Sequence, residues 1–206
     1  YPTLDPTMGA CEQAPDDWIE ALCENIKALL KCGKFSASDI AAIAIDSATH
    51  TSLVCDGNFV PLRNAIHWTD TRSRKQADYL RETYGDEIFA KSYHKHDTIW
   101  TLPQLLWLKE NEPDIFSKIR YIFFEKDYVR YYLTDVFCTD YIEAQGSMLF
   151  DCNGECWDKW LCSLAGIDVD MLPPLKNPTD IIGAVTEKAA KATGLAEGTP
   201  VICGTT

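Results

Sequence analysis

No stretch of this sequence comes near the roughly 18 consecutive apolar residues that a membrane-spanning helix needs. The opening segment "YPTLDPTMGACEQ" has neither the basic start nor the apolar core of a signal peptide. The chain therefore reads as soluble, with no membrane partner. Positive charge is scarce. Lys and Arg number 19 against 31 Asp plus Glu, a net charge of -12. Such a field repels a nucleic-acid backbone and leaves only a local basic pocket open to anions. Phosphate loops of the G-x-x-x-x-G-K-[ST] kind, dinucleotide fingerprints and G-x-S-x-G elbows are missing, as are a Ser-His-Asp order and paired carboxylates at catalytic spacing. Internal repeats and low-complexity linkers are missing too, so 206 residues form one substantial domain or two small lobes around a real core.

Cysteine, by contrast, is present nine times. The count is odd, and Cys23, Cys55, Cys138 and Cys203 each stand singly in apolar segments, which predicts reduced core thiols in a reducing compartment, the cytoplasm by default. Only Cys152, Cys156 and Cys162 cluster. They have no second Cys pair or His at zinc-finger spacing, so a turn between core thiols is predicted there and no metal site.

Periodicity supplies the elements. Pro15, Asp16 and Asp17 open a helix whose stripe of Trp18, Leu22, Ile26 and Leu29 faces a core, with Gly33 as its end. "DIAAIAI" predicts a strand buried on both faces and "TSLVC" another, with "DGN" turning tightly into "FVPLRNAI", which Pro61 makes an edge or bulged strand. A helix follows over "RSRKQADYLRETYG", with Ala77, Leu80 and Tyr84 on one face, Thr69 or Asp70 as cap and Gly85 as stop, and then a loop rich in His and Lys. "LPQLLWLKENEP" predicts a helix closed before Pro113, "RYIFF" a strand, and "KDYVRYYL" and "CWDKWLCSLAG" helices. Residues 181 to 204 predict a strand, a helix capped by Gly194 and a final buried strand. Helices mixed with a hairpin and buried strands indicate an α/β fold with a mixed sheet.

Three polar stretches interrupt this pattern. In "IAIDSATHTSLVC" the groups Asp46, Ser47, Thr49, His50 and Thr51 break a buried run. They either satisfy their own backbone in a turn or together hydrogen-bond a polyhydroxylated ligand. "HWTDTR" alternates Trp68, Asp70 and Arg72: an aromatic platform beside a carboxylate and a guanidinium if extended, or a core Trp, a helix cap and its ion pair if not. His94, His96 and Asp97 lack a third convincing metal ligand and read as a solvated loop or a ligand contact. Asp127, Arg130 and Asp140 read as helix surface and capping groups rather than acid/base groups.

Collinear motifs then span almost the whole chain. "GACEQAPDDWIEAL" is similar to G-x-x-E-Q-x-P-x-x-W, "NAIHWTDTRS" to A-I-x-W-x-D-x-R, and "LPQLLWLKENEP" to P-K-L-L-W-L-x-x-x-x-P. "KDYVRYYLTDVFCTDYIEAQGSMLFD" is similar to K-D-Y-L-x-x-x-L-T-G-x-x-x-T-D-x-x-x-A-S-G-T-x-L-x-D, and "LPPL" and "IIGAVTEKAAKATGLAEGTPVICG" follow in order. These motifs resemble those of the FGGY carbohydrate kinases, the xylulokinases most closely. The resemblance implies an actin-like ATPase fold of the RNase H-like type, two lobes around a cleft in which the γ-phosphoryl of ATP, with Mg²⁺, passes to a sugar hydroxyl. Residues 1–206 would be the first, sugar-binding lobe, incomplete at both ends and without the nucleotide-binding lobe.

The resemblance also implies roles. His50 falls where xylulokinases carry the His of Q-M-H-G, so it would contact the sugar, with Thr49 in place of the Met. Trp68, Asp70 and Asp97 are expected on the cleft wall. The family's general base is the Asp of P-V-x-x-G-x-x-D, and "PVICGTT" stops at Thr206, one residue before it, so that base is expected just beyond Thr206. The D-x-G-T phosphate loop is also absent, so no catalytic residue is expected in 1–206 and no kinase activity from the fragment alone. Gln104 for the motif's Lys, Thr49 and Thr51 around His50, and Asp46 with Ser47 before it shift the expected substrate from xylulose toward another pentose, a tetritol or another polyol. A catalytically silent sugar-binding or regulatory relative is the alternative reading; an assembling actin-like ATPase fits the fold but not the sugar-side motifs. A homodimer is expected.

Overall fold

The computed structural model describes all of residues 1–206. The chain enters through a two-residue strand β1 (Glu12–Gln13) and helix α1 (Pro15–Lys31), then lays down β2 (Ser52–Cys55) and β3 (Ala65–Ile66). Helices α2 (Arg74–Ser92), α3 (Thr101–Asn111) and the single turn α4 (Pro113–Phe116) lead to β4 (Tyr121–Phe124) and α5 (Glu125–Thr134). Beyond them come β5 (Thr139–Asp140), α6 (Tyr141–Gly146), the paired β6 (Phe150–Asp151) and β7 (Cys156–Trp157), α7 (Lys159–Ala165), β8 (Leu175–Lys176), β9 (Ile181–Ala184), α8 (Glu187–Thr193) and β10 (Pro200–Ile202).

The first four strands form a sheet in the order β1-β3-β2-β4, antiparallel throughout. Side chains alternate across it, so β2, β3 and β4 each feed two cores. Val54 and Ile122 face the core built by Leu80 and Ile88 of α2, Leu102, Leu105 and Leu108 of α3, and Leu161 of α7. Leu53, Cys55 and Phe123 face the other way, toward Trp18 of α1 and Val129 of α5. Leu102, Leu105 and Leu108 recur every third residue and are all buried, which stabilises α3 against the sheet by about 1.5–3 kcal/mol per side chain. Parallel pairing appears where β5 meets β8 and where Ile43 bridges Val201, so the α/β fold is mixed as the sequence predicts.

Two predicted features come out differently. Residues 39–45 do not form a strand buried on both faces. One edge is held, by Ile43 N–H donating to Pro200 O at 2.9 Å and Ile202 N–H donating to Ile43 O at 2.8 Å. Ala41, Ala42 and Ala44 are exposed, and the side chains of Ile40, Ile43 and Ile45 line an open apolar groove with Leu22, Ile26 and the 58% exposed Leu29 of α1. A run with one paired edge has no second neighbour to cover it, and the far end of α1's stripe shares that exposure.

The helix expected to stop at Gly85 continues to Ser92, kinked at Tyr84 (φ −135°, ψ 19°). Leu80 before the kink and Ile88 after it are both buried in the same core, and that burial outweighs the roughly 1 kcal/mol that a glycine costs inside a helix. Neither Thr69 nor Asp70 caps this helix; Ser73 holds the cap position, without a side-chain bond.

The cysteines are all free. Cys55, Cys138, Cys162 and Cys203 are core thiols as expected, but Cys23 is half-buried against Tyr132, and Cys156 is exposed at the turn between β6 and β7.

A third difference concerns charge. Asp127 and Arg130 are not on a helix surface. With Lys126 they are wholly buried, in a cluster where Lys126 Nζ lies 2.7 Å from both Asp127 Oδ1 and Asp140 Oδ2, and Arg130 Nη2 lies 2.8 Å from Asp127 Oδ1. Arg130 also donates to the carbonyls of Cys138 and Cys203, tying α5 to β5 and to the segment after β10. Burial alone pulls the Lys126 ammonium toward losing its proton, yet Asp127, Glu143 and Asp140 outweigh it and raise its pKa. The amphipathic pattern of α5 hides this, because charged residues that pair completely can occupy the inner face.

Two stability tests follow. Replacing Lys126 with Met leaves buried carboxylates without their partner and lowers unfolding stability by about 3–5 kcal/mol in urea titration; a loss under about 1 kcal/mol contradicts the buried cluster. Asp158 caps α7 by accepting from Leu161 N–H at 2.8 Å and pairs with Lys91 at 2.7 Å, so Asp158→Ala costs about 1–2 kcal/mol by the same measurement.

Candidate functional site

The polar break before β2 is a tight structural unit. His50 adopts a left-handed backbone (φ 57°) between two β-branched threonines, a conformation that costs a non-glycine residue on the order of 1–3 kcal/mol and persists only where its surroundings fix it. Here they do. Its N–H donates to Glu143 Oε1 at 2.8 Å, Thr49 Oγ1 sits 3.4 Å from the same oxygen, and His50 Nδ1 lies 2.8 Å from Thr49 Oγ1 and 3.6 Å from Glu143 Oε1.

Helix α6 supplies that carboxylate. Asp140 is its N-cap, accepting from Ile142 N–H at 2.9 Å and Glu143 N–H at 3.2 Å through Oδ1, which also accepts from Thr205 Oγ1 at 3.1 Å. Asp140 is thus a capping group, as the sequence indicates, and a link to the segment after β10 as well. The next residue along that segment, Thr206, donates from Oγ1 to the Ser47 carbonyl at 3.3 Å. Thr206 therefore stands beside the polar break, although it bonds to the backbone there and not to His50 or Thr49.

Glu143 is the third residue of α6, wholly buried, with Lys126 Nζ 4.0 Å from Oε2. One turn later comes Gly146, whose Cα lies against the imidazole of His50; any Cβ there would fall inside the ring. The ring is therefore seated on a glycine and bounded by an acid.

Aromatic groups close the other side. Trp100 lies 5.0 Å from the His50 ring and stacks on His94 at 4.0 Å, and His94 Nε2 meets the Gln145 carbonyl of α6 at 2.9 Å. Burial pushes the His94 pKa below the ordinary imidazole value. Beneath the knot, Gln104, the residue standing for the motif's Lys, is buried and accepts from Ser52 Oγ at 2.8 Å while donating to Thr98 O, so it ties β2 to the loop before α3. Ser47 Oγ, Thr51 Oγ1 and Glu143 Oε2 are buried without a hydrogen-bond partner. Glu143 Oε2 faces Lys126, which leaves the Ser47 and Thr51 hydroxyls, on either side of His50 in sequence, as the groups suited to a ligand rich in hydroxyls.

The remaining sequence candidates stand in other networks. Residues 67–73 form turns rather than an extended segment, with Asp70 N–H donating to His67 O and Arg74 N–H to Thr71 O. Trp68 is consequently neither core nor aligned with its neighbours, and is 41% exposed beside His67. Asp70 is buried, accepting from Cys11 N–H and pairing with Arg72, which reaches on to Glu12 at 2.7 Å and lies 4.3 Å over the Trp107 ring. Asp97 is half-exposed, caps its own Thr98 N–H and pairs with Arg74 at 3.3 Å. None of these three bonds to His50 or Thr49. His96 borders an open cleft with Arg81, Asp86, His94 and Lys95. The outward face of α6 borders another, of about 440 Å³, lined by Tyr141, Ile142, Gln145, Phe150, Cys152 and Asn177.

Glu143, Lys126, Gly146 and Trp100 were not singled out from sequence. The available signal was the spacing in "TDYIEAQGS", which places an acid and a glycine three apart on one face of a capped turn.

The whole chain, residues 1–206, matches the family model described as "FGGY family of carbohydrate kinases, N-terminal domain". It is 34% identical over 204 residues to the xylulose kinase of Bacillus subtilis, covering 99% of this chain and 41% of that protein. Among solved structures it is similar, with a TM-score of 0.93 and 25% identity, to a gluconate kinase from Lactobacillus acidophilus and equally to a ligand-bound xylulose kinase from the same organism, in each case over 100% of this chain and 41% of the other. The mixed α/β architecture is accordingly that of the first lobe of an actin-like ATPase fold. By sequence and fold together, the chain belongs to the FGGY family of carbohydrate kinases, as its N-terminal domain.

Proposed function

We propose that residues 1–206 are the sugar-binding lobe of a longer enzyme that phosphorylates a sugar hydroxyl with ATP, the substrate being a ketopentose such as D-xylulose or a related polyol. The single observation that carries the reading is His50, held rigidly in a left-handed backbone beside unpaired buried hydroxyls. The xylulose kinase name of the relative that matches 99% of the chain supports the reaction class.

In this reading His50 and Thr49 bind and orient sugar hydroxyls. Trp68, 41% exposed, would supply an aromatic face on the cleft wall; Asp70 and Asp97 would stand behind that wall through their pairs with Arg72 and Arg74. The acceptance of the sugar's proton falls to a residue beyond Thr206, and the contact of Thr206 with Ser47 supports this by setting that end of the chain next to the polar break. No group of three or more His, Cys, Asp or Glu side chains converges to hold a metal ion, and no phosphate loop is present. In this proposal ATP and Mg²⁺ are held largely by parts of the longer enzyme outside residues 1–206. No helix is long and apolar enough to cross a membrane. A cytoplasmic site of action, a homodimeric assembly and the absence of a nucleic-acid partner belong to the same proposal, the last supported by the net charge of -12.

The test is ATP consumption by the full-length protein against a panel of ketoses and polyols. Stimulation by a subset of them is expected, and His50→Ala should lower kcat/KM for the preferred one by about tenfold to a hundredfold, the worth of a hydrogen bond to a buried polar group. A panel without any sugar-stimulated turnover sinks the proposal.

A further inference from the structure

The nine free thiols stand in very different surroundings. Cys55, Cys138, Cys162 and Cys203 are buried, and a sulfur without solvent access is inert toward dissolved reagents. That holds even for Cys138, whose pKa is lowered by its bond to Cys203 and by the Arg130 guanidinium. Cys23 meets the Tyr132 hydroxyl, and burial raises the pKa of Cys152. Cys32 and Cys156 are exposed but have no side-chain hydrogen bond to sulfur. Cys11 differs from all of them, because it is only half-buried and faces a base.

Strand pairing brings the two together. β1 pairs with β3 through Glu12 and Ile66, and one residue further out His67 N–H donates to Cys11 O at 2.9 Å, which sets the two side chains next to each other. Cys11 Sγ lies 3.6 Å from His67 Nδ1 and accepts from Thr69 Oγ1 at 2.9 Å. Thr69 N–H, a fixed backbone donor, points at the same Nδ1 at 3.4 Å, so the nitrogen that faces the thiol carries the lone pair. Burial lowers the His67 pKa against the pull of Asp70, which is itself paired with Arg72, and the ring is therefore neutral near pH 7. Reagents can reach the group, since Thr69 and Trp68 are both exposed.

We propose that Cys11 is a covalent modification site that forms a mixed disulfide with a small-molecule disulfide, with His67 as its base. The Cys11 S–H proton passes to His67 Nδ1, and the thiolate, held by the Thr69 hydroxyl, attacks one sulfur of the disulfide. A Cys11–S–S–R bond forms as the R–S–S–R bond breaks, and the departing R–S⁻ takes the proton from His67. The small-molecule disulfide is itself the oxidant, so the step balances without another co-reactant. The hydrogen bonds of this group are separate from those of His50 and Thr49, and the proposal stands apart from the sugar reading.

The test treats full-length protein with glutathione disulfide and follows each cysteine by peptide mass spectrometry. Near pH 7 the Cys11 adduct should form at least about tenfold faster than adducts at Cys32 and Cys156, which are more exposed but lack a base. From about pH 8 to about pH 6 the Cys32 rate should fall about a hundredfold, as the thiolate fraction of a free cysteine does, and the Cys11 rate by less than about tenfold, because His67 still takes the proton. His67→Gln should bring the Cys11 rate to within about twofold of Cys32 and restore the steep pH dependence, a change that loss of packing alone does not produce. Thr69→Val, at an exposed position, should slow Cys11 about fivefold by removing the donor to sulfur, and it carries the test if His67→Gln fails to fold. A Cys11 that reacts no faster than Cys32, or a His67→Gln variant that keeps the rate and the shallow pH dependence of the unmodified protein, overturns the proposal.

Discussion

His50 keeps an unfavourable backbone at the mouth of a buried strand because a buried carboxylate, Glu143, accepts its N–H, and that carboxylate is held in turn by Lys126 and the cap of α6. Each link depends on the next. Asp140 starts the helix that carries Glu143, Lys126 offsets the charge of both acids, and Arg130 locks Asp127 to the carbonyls of Cys138 and Cys203. An ionic interior of this kind stabilises less than an apolar one of the same volume. What it contributes is geometry, since every member admits one arrangement and passes it on to the strand end.

Much of the fold was legible in the sequence where local signals and burial agree. Pro15 with its acidic pair, the short apolar runs of β2 and β4, and Gly194 after α8 each mark an element that packing then holds. Legibility failed where tertiary context overrode a local rule. Gly85 reads as a stop, but Ile88 has a place in the core on the far side. "DIAAIAI" reads as a strand with neighbours on both sides, but only β10 is there to pair with it.

The site was half legible. His50 and Thr49 announce themselves as polar residues inside an apolar run, whereas Lys126 lies in a segment that reads as ordinary amphipathic helix and Glu143 in one for which the pattern predicts no element. A buried charge offset by its neighbours leaves no trace in a hydrophobic pattern. The alternation in "HWTDTR" misled in the opposite direction, because it describes side-chain directions only for an extended chain, and the backbone there turns. The names of the relatives bear on the substrate in a similarly limited way. Two structures equally similar to this chain are called a gluconate kinase and a xylulose kinase, so likeness of fold does not resolve the sugar. Discrimination among polyols instead falls to a few hydrogen-bonding groups, which reject ligands that leave them unpaired. In this chain the groups that depart from the xylulokinase motif, Thr49 and Thr51, flank the histidine, where a single hydroxyl changes which oxygens can be satisfied.

The most direct measurement is a crystal structure of the full-length protein with the preferred sugar of the panel bound. The account predicts a sugar hydroxyl within hydrogen-bond distance of the His50 imidazole, the left-handed backbone retained and the bond from His50 N–H to Glu143 intact. Sugar bound instead in the cleft on the outward face of α6, with His50 untouched, would contradict it.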